Sequence, residues 1–286
     1  MSKLAKEKTR KEETEEKDIV EELKDVVAPE EAKEVEQVIE EKPANIEGWK
    51  PKTENGRKVK AGEITKIDQI LDKGGNILEV EIVDSLIPGL QTDLLLIGQA
   101  KGKFGGGQRR VFKQTQKKTS EGNKPKFATY AVVGNTDGII GVGYGKSKET
   151  VPAREKAIRN AKMAIFKIKR GCGSWVCGCK EPHSIPFEVR GKCGSSEIIL
   201  KPAPKGSGLV VEKECKKILK MAGIKDVFSK TAGQTTTKTN LIGACINALK
   251  ELTNVKVSPE LVKELGVIEG STGVHIGAIK KGETEE

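Results

Sequence analysis

Two apolar strands followed by an alanine-rich helix, all within residues 126–168, constrain the fold of this chain more than any other feature. KFATYAVVG and IIGVGYG read as paired strands, because Asn135-Thr136-Asp137-Gly138 between them favours a tight turn with positive backbone angles. A helix predicted over 151–168 then carries small or apolar residues at spacings of three and four: Ala153, Ala157, Ala161, Ala164, Ile165 and Ile168. Because small residues let a helix lie close to a sheet, the segment predicts an antiparallel sheet with one covering helix.

Two further patterns precede this segment. Residues 77–83, ILEVEIV, alternate apolar and acidic side chains, which favours a half-buried strand. DLLLIGQAKGKF and RRVFKQT flank the glycine triplet Gly105–Gly107, and together they predict a hairpin with a basic tip.

A second module of mixed structure follows. EIILKPAPKGSGLVV predicts a strand, a proline-glycine loop and then a short helix that stops at Gly223. Residues 224–229 suit a strand, and a second helix is predicted to begin at a Thr239 cap. Cys215 and Cys245 fall on the apolar sides of these helices, so we expect them to be inert buried thiols. The fold class is therefore α+β.

Positive charge is concentrated in one block of the 286-residue chain, whose formal charge is +10. Residues 98–170 contain 18 Lys or Arg and four acidic residues, whereas residues 1–46 contain nine basic and 15 acidic side chains. The basic block favours a polyanionic partner, the alternative being a basic face that only aids solubility. The acidic segment has too few apolar residues to form a core, and we expect it to be disordered or a loosely helical tail.

Several classes of protein fit this sequence poorly. No apolar run approaches the roughly 18 residues of a membrane span, and the charged start has no apolar leader, so we expect a cytoplasmic protein. The chain holds two histidines, His183 and His275, neither in a recognisable nucleophile–base arrangement, which argues against an enzyme. Aromatic residues make up 3% of the chain, so RNA binding would rest on phosphates and RNA shape more than on stacked bases.

Two glycine-rich stretches invite comparison with phosphate-binding loops. Residues 141–147, GVGYGKS, fail the nucleotide pattern because Ile140 stands where it requires glycine. This run with Lys146 and Lys148 either grips a nucleic-acid phosphate or is a strand ending in a flexible turn, and the sequence leaves both open. Residues 202–208, PAPKGSG, faintly resemble the ATP loop of galactokinase-like kinases, but a structural turn, or a phosphate contact without chemistry, is favoured.

A cluster of soft ligands lies between the two modules. Cys172, Cys177, Cys179 and His183, with Cys193 ten residues further on, are enough for a tetrahedral zinc site. The spacing is irregular and does not repeat a CxxC pair. Free cysteines in a glycine-rich connector are the alternative, so zinc is a hypothesis and we commit to no metal or other cofactor at this point.

Several motifs in order resemble one known family. KFATYAVVGNTDGIIGVGYGKSKE, PHSIPFEVRGKCGS and PAPKGSGLVVEKECKKILKMAGIKDV are similar to the universal S-five family of small-subunit ribosomal proteins, and GWKPKTENGRKVKAGEI to its archaeal and eukaryotic branch. The resemblance covers roughly residues 47–255. It implies a first domain like the double-stranded-RNA-binding fold and a second of βαβ type, shared with galactokinase-like kinases. It also implies ribosomal RNA and neighbouring small-subunit proteins as partners, close to where messenger RNA enters and to regions that govern decoding accuracy.

By position, the resemblance assigns RNA contacts to the basic hairpin tip and to the region in and after the glycine run. Together with a basic residue of the second module, the candidate RNA-binding residues are Lys101, Lys103, Gly105, Gly106, Gly107, Arg109, Arg110, Lys113, Lys146, Lys148, Arg154 and Lys205. The connector KQTQKKTSEGNKPK after them is longer than in compact members of the family.

The expected organisation has six parts. They are an acidic tail (1–46), a family-specific extension (47–76), the RNA-binding domain (77–170), a Cys/Gly-rich connector (171–195), a C-terminal ribosomal domain (196–256) and a C-terminal tail (257–286). A structural protein of the small ribosomal subunit is the predicted function, and a free-standing RNA-binding regulator or a small-molecule kinase are the alternatives. Co-sedimentation with small subunits after a high-salt wash separates the first two.

Overall fold

The structure is a computed structural model that describes residues 49–87, 89–100 and 108–270. The acidic tail 1–46 and the end of the chain after Gly270 lie outside these ranges. Within them, no helix combines the length and apolar character that crossing a bilayer requires.

Seven helices and eleven strands are formed by the described residues. The helices are α1 (Glu54–Lys60), α2 (Asp68–Leu71), α3 (Val80–Leu86), α4 (Thr150–Met163), α5 (Lys213–Met221), α6 (Lys238–Asn254) and α7 (Pro259–Leu265). The strands are β1 (Gln91–Leu95), β2 (Lys113–Thr119), β3 (Gly122–Gly134), β4 (Ile139–Ser147), β5 (Ile165–Lys167), β6 (Lys169–Arg170), β7 (Val189–Cys193), β8 (Ser196–Pro202), β9 (Leu209–Val210), β10 (Val227–Gly233) and β11 (Ile268–Glu269).

The predicted hairpin of β3 and β4 is confirmed and forms the centre of the first sheet. The two strands pair antiparallel from Phe127 opposite Ser147 to Gly134 opposite Ile140. In the turn, Gly138 has a φ of 87°, and the second positive φ, 57°, falls on Thr136 and not on Asp137. The Asn135 side chain holds the turn by accepting the Asp137 N–H at 2.8 Å.

The hairpin predicted from residues 93–115 is wrong in its main pairing. β1 and β2 do not pair with each other, and both pair antiparallel with β3, β1 with residues 130–134 and β2 with residues 122–128. Between them, a single bridge joins Ala100 to Arg109, and the Gly98 N–H donates to the Arg110 carbonyl at 2.8 Å. The basic tip itself, residues 101–107, lies outside the described residues.

Helix α4 lies directly against the backbone of β4. Gly141, Gly143 and Gly145 alternate along the strand, and a Cβ at any of them would collide with backbone atoms of α4. Opposite them, Ala153, Ala157 and Ala161 are fully buried. The predicted covering helix is thus confirmed, and the glycines explain how it approaches so closely.

The helix is shorter than the sequence pattern predicted. It ends at Met163, and Ile165–Lys167 instead form β5, which pairs with Ile139–Gly141 of β4. These β-branched and aromatic residues gain more as an added strand on the open edge of β4 than as a last helical turn.

The strand predicted over residues 77–83 is also wrong, because the structure forms α3 from Val80 to Leu86. The apolar–acidic alternation covers few residues, whereas Ile82, Val83 and Ile87 fall at helical spacing and are buried. Lys162 of α4 forms an ion pair of 2.8 Å with Asp84 of α3. Tertiary packing therefore overrides the local strand preference.

The second sheet has the strand order β7-β8-β10-β9. β9 and β10 are parallel and are joined by α5, which ends before Gly223 at a φ of 81°, as predicted. Cys215 and Cys245 are buried, also as predicted. The predicted strand 224–229 is shifted to Val227–Gly233, and Thr237, not Thr239, occupies the N-cap of α6.

The two sheets share one hydrophobic core. Val132 and Ile140 of the first sheet belong to the same buried cluster as Leu200 of the second and Ile218 of α5. The β3–β4 turn also caps α5, since the N–H groups of Thr136 and Gly138 donate to the carbonyls of Met221 and Ala222. The face of the first sheet opposite α4 is therefore covered by the second module.

Part of the expected C-terminal tail, residues 257–286, is folded onto this body. Helix α7 begins at a Ser258 cap and ends at Gly266 in the left-handed region. β11 then pairs antiparallel with β6, placing Ile268 opposite Arg170. Gly266 can end the helix in this way because glycine adopts the left-handed conformation without strain.

The strand–helix contact predicts a large effect of one added methyl group. Replacing Gly143 by Ala drives its Cβ into the Ala157 carbonyl and the Ala161 amide, so the free energy of unfolding should fall by about 3 kcal/mol. Urea denaturation measures this change. Gly178→Ala, at a glycine with open space around the added Cβ, is the matched control and should change stability little. Equal stability of the two variants would contradict the close contact.

Candidate nucleic-acid interface and metal cluster

The β2–β3 ribbon extends into solvent and carries lysines on one side. In its register Lys113 lies opposite Ala128, Thr115 opposite Lys126, and Lys117 opposite Lys124. Because opposite residues of an antiparallel pair point to the same side, as do alternate residues of a strand, these four lysines share one side. Lys146 of β4 lies opposite Ala128 and joins them. We call Lys113, Lys117, Lys124, Lys126 and Lys146 the lysine face.

The lysine face is exposed, and most of its lysines have no partner carboxylate among the described residues. All five side chains belong to exposed residues. Lys124 has a partner in Glu121 at 2.6 Å, whereas no ion pair joins Lys113, Lys117 or Lys126 to a carboxylate of the described residues. Lys117 and Lys124 are directly opposed like charges, an arrangement that destabilises a ribbon by itself. A polyanion that binds across both strands removes this repulsion.

An open basic pocket continues the lysine face at the start of α4. Its volume is about 540 Å³, and its charged lining consists of Lys126, Lys146, Lys148 and Lys156 with a single carboxylate, Glu149. The pocket lies at the N-terminus of a 14-residue helix, where the helix dipole favours negative charge. Its size and charge suit a phosphate of a nucleic-acid backbone.

The structure places the predicted RNA-binding residues unevenly. Lys113, Lys146 and Lys148 lie on or beside the lysine face, and Arg110 is exposed. Arg109 is half-buried, and its guanidinium lies 3.4 Å from the Gly98 carbonyl. Arg154 is also half-buried, and Lys205 lies on the second module, paired with Glu181 at 2.7 Å. Lys101, Lys103, Gly105, Gly106 and Gly107 lie outside the described residues.

Sequence reasoning missed part of this surface. Lys117, Lys124 and Lys126 belong to the segment that the sequence indicates as a long connector, but they lie on two paired strands. The sequence signal for the ribbon is Ser120-Glu121-Gly122 between two lysine-rich stretches, because these residue types favour a tight turn. In the structure Gly122 has a positive φ of 114° at this turn.

The glycine run 141–147 is not a phosphate loop. It is strand β4, and its glycines are filled by the backbone of α4. Of the two interpretations left open, the strand is the one that the structure forms, since β3 pairs along its length and β5 pairs with Ile139–Gly141. Lys146 lies near the end of the strand and Lys148 follows it.

Loop 203–208 is the segment that faintly resembles a kinase ATP loop. Its backbone N–H groups already bind a carboxylate of the same chain, that of Asp226. The N–H groups of Gly206 and Gly208 donate to Asp226 Oδ1 at 3.1 and 2.8 Å. A carboxylate thus takes the place that a nucleotide phosphate would need. The loop is a structural turn, as the sequence favoured.

Three cysteines and one histidine of the candidate zinc ligands come together. One ligand atom each from Cys172, Cys177, Cys179 and His183 lies within 4.8 Å of all the others. Cys193, the fifth candidate, is on β7, where its Sγ faces Gly243 of α6, and it is not part of the cluster. The chain folds this way because the strand bridge between Gly171 and Ser184 closes the loop that carries all four residues.

The histidine of the cluster is oriented by a buried carboxylate. His183 Nδ1 lies 2.8 Å from Asp226 Oδ2, which leaves Nε2 facing Cys177 Sγ at 3.9 Å. Metal-binding histidines usually have such a partner on the second ring nitrogen.

The electrostatics of the thiols differ across the cluster. A hydrogen bond from the Lys205 backbone N–H, and to a smaller extent one from the Cys179 thiol, lowers the pKa of Cys177 to about 6. This thiol is therefore largely ionised at neutral pH. Burial of the thiol, and to a smaller extent its hydrogen bond with Cys179, raises the pKa of Cys172 to about 11. A Cys–His–Asp set also occurs in hydrolases, but here two further thiols crowd the Cys177 sulfur. The set therefore fits a metal ion better than a nucleophile.

Comparisons with known proteins match two parts of the chain to two domains of one family. Residues 97–169 match the family described as "Ribosomal protein S5, N-terminal domain", and residues 191–264 match "Ribosomal protein S5, C-terminal domain". Similar proteins named "Small ribosomal subunit protein uS5" include that of Nanoarchaeum equitans, 51% identical over 79% of this chain and 97% of the relative. Those of Methanosphaera stadtmanae and Methanocaldococcus jannaschii are 46% identical, each over 79% of this chain, and over 92% and 97% of their own lengths.

The sequence resemblance is thereby confirmed over most of the chain, in an α+β fold. The chain belongs to the ribosomal protein S5 family, a family of structural proteins and not of enzymes.

Proposed function

We propose that this protein, a structural component of the small ribosomal subunit by its family, binds ribosomal RNA chiefly through the lysine face and the adjoining basic pocket. The observation that carries the proposal is the register of β2 and β3, which brings Lys113, Lys117, Lys124 and Lys126 to one side of an exposed ribbon. The second module is tied to the first by the shared core, and we expect it to contact neighbouring proteins as well as RNA.

Phosphate neutralisation explains why the ribbon tolerates its own charge. Each lysine that contacts a phosphate releases condensed counterions from the RNA, and this release makes binding favourable and sensitive to salt. Lysine binds phosphate as a point charge without reading bases, so the surface positions the protein on folded RNA. The basic pocket adds a place for one phosphate at the end of the ribbon.

Removing two opposed lysines tests the ribbon. Lys117→Gln with Lys124→Gln should weaken binding to small-subunit RNA and make the slope of log affinity against log salt shallower by about 1.4 to 1.8. Lys216→Gln with Lys220→Gln, two exposed lysines of α5, is the matched control. Filter binding across a salt series measures the slopes. Equal slopes for both double variants and the unchanged protein would reject the lysine face.

The predicted arginine pair remains a separate proposal. If Arg109 and Arg110 both contact phosphates, replacing both by Ala should lower the salt slope by about 0.7 to 0.9 for each lost contact. The same binding series measures it. An unchanged slope would remove these two residues from the interface without affecting the lysine face.

We also propose the finer placement that the family resemblance implies. It puts the protein near the point where messenger RNA enters the subunit and near regions that govern decoding accuracy, in the cytoplasm. The exposed ribbon supports this, since a projecting basic arm can reach a second RNA strand. Cross-linking from a photoreactive messenger RNA to residues 113–126 is expected, and cross-links to other proteins alone would contradict it.

We further propose the two fold types and the domain limits that the resemblance implies. The order α3, β1, β3, β4, α4 supports a domain like the double-stranded-RNA-binding fold within residues 77–170. The parallel pair β9–β10 joined by α5 supports a βαβ-type domain within residues 196–256. Residues 47–76, with α1 and α2, supply the extension, and residues 171–195 the connector.

Zinc is the cofactor that we propose for the cluster of Cys172, Cys177, Cys179 and His183. Thiolate and imidazole ligands in a four-residue set favour zinc among the common divalent ions. Tetrahedral zinc bonds of about 2.0 to 2.3 Å put ligand atoms about 4 Å apart, close to the spacing in the cluster. All four positions are filled by protein, which is typical of a structural site.

Metal content tests this cofactor directly. Protein loaded with zinc chloride and dialysed should hold about one zinc per chain, and the Cys177→Ser, Cys179→Ser double variant should lose it. Cys193→Ser, at a cysteine outside the cluster, is the control and should retain the metal. Atomic emission spectroscopy measures the content. Equal zinc in the unchanged protein and the double variant would end the zinc proposal.

A further inference from the structure

The cluster of three cysteines and one histidine lies where three separate segments of the chain meet. These are the ligand loop itself (171–185), loop 203–208, and the C-terminal segment 258–270 that contains α7 and β11. Each segment contacts the ligands or their immediate neighbours. The cluster therefore connects three segments of the chain and does not only close the ligand loop.

The C-terminal segment is held at the ligand loop by backbone contacts. The Cys172 N–H donates to the Leu265 carbonyl at 2.9 Å. Gly266, with a φ of 58°, lies so close to the Lys180 backbone that an added Cβ would collide with its carbonyl. The end of α7 thus contacts both sides of the ligand loop, at Cys172 and at Lys180.

Helix α7 has little else to hold it. None of its residues is buried, and Leu261 is 45% exposed. Hydrophobic burial therefore contributes little to its docking, in contrast to α6, which buries seven residues. The other contacts of the C-terminal segment lie at its end, where β11 pairs with β6 and Glu269 forms ion pairs with Lys167 and Lys169. They hold residues 268–270 and not α7.

Loop 203–208 is connected to the cluster through Asp226. One oxygen of this carboxylate lies 2.8 Å from His183 Nδ1, and the other accepts the Gly206 and Gly208 N–H groups. The hydroxyl of Ser184, the residue after the histidine ligand, accepts the Ala203 N–H at 3.2 Å. Fixing the imidazole therefore fixes the carboxylate and the Gly206–Gly208 end of the loop, while Ser184 holds the Ala203 end.

We infer that a metal bound by Cys172, Cys177, Cys179 and His183 is the clamp that fixes loop 203–208 and the C-terminal segment on the second module. The inference rests on the zinc proposed above. In the absence of the metal, both segments open locally, while the strands and helices of the shared core keep their structure. Lys205, on the clamped loop, is then no longer held in one position toward a partner.

Hydrogen exchange of the full-length chain tests the clamp. Protein stripped of metal with a chelator is compared with the same protein reloaded with zinc chloride. Backbone amides of residues 203–208 and 258–267 should exchange about tenfold faster or more without metal, and those of β3 and β4 should be unchanged. Cys193→Ser should behave as the unchanged protein does.

A second variant separates the two routes through which the clamp acts. Asp226→Asn leaves the four ligands in place but removes the charged acceptor between His183 and loop 203–208. In its zinc-loaded form, loop 203–208 should exchange faster while residues 258–267 stay protected. Equal exchange of both segments in this variant and the unchanged protein would refute the route through the carboxylate.

The possible failures are distinguishable. A chain that binds no zinc defeats the cofactor and the clamp with it. A chain that holds one zinc, yet exchanges equally with and without it in both segments, defeats the clamp and leaves the zinc site standing. Loss of protection throughout the chain on removing zinc also overturns the inference, because the metal would then hold the whole fold and not two segments.

Discussion

Backbone-to-backbone contact between β4 and α4 is the constraint on which the first sheet depends. Glycines at alternate positions of the strand and alanines at successive turns of the helix leave no room for side chains between the two backbones. The second sheet repeats this solution, since a Cβ at Gly191 of β7 would collide with the backbone of α6 at Ala244 and Ala248. On the side away from the helix, Val132 of β3 and Ile140 of β4 belong to the shared core, while Ala131 and Val133 of β3 pack against α4.

This packing also decides where RNA can bind. The centre of the first sheet is covered on both faces, so its available basic surface lies where β2 and β3 extend beyond α4. Strand pairing, and not local sequence, brings lysines that are up to 33 residues apart onto one side. The proposed interface thus follows from the register of the sheet.

The sequence predicted those parts that depend on short-range patterns. The turn at Asn135–Gly138, the covering helix, the terminator Gly223 and the buried thiols Cys215 and Cys245 are confirmed because turn chemistry and helical spacing are local. Tertiary contacts produced the errors, since α3 replaced a predicted strand where Ile82 and Val83 are buried, and β1 paired with β3. Four of the five proposed metal ligands come together, but Cys193 was excluded by its place on β7, which sequence spacing could not reveal.

Ultraviolet cross-linking of intact small subunits, followed by mass spectrometry of the cross-linked peptides, measures most directly whether the ribbon faces RNA. If the lysine face and its pocket are the principal RNA contact, RNA adducts should concentrate on peptides from residues 113–126 and 146–156. Adducts confined to α5 and α6, with none on these two regions, would contradict the account.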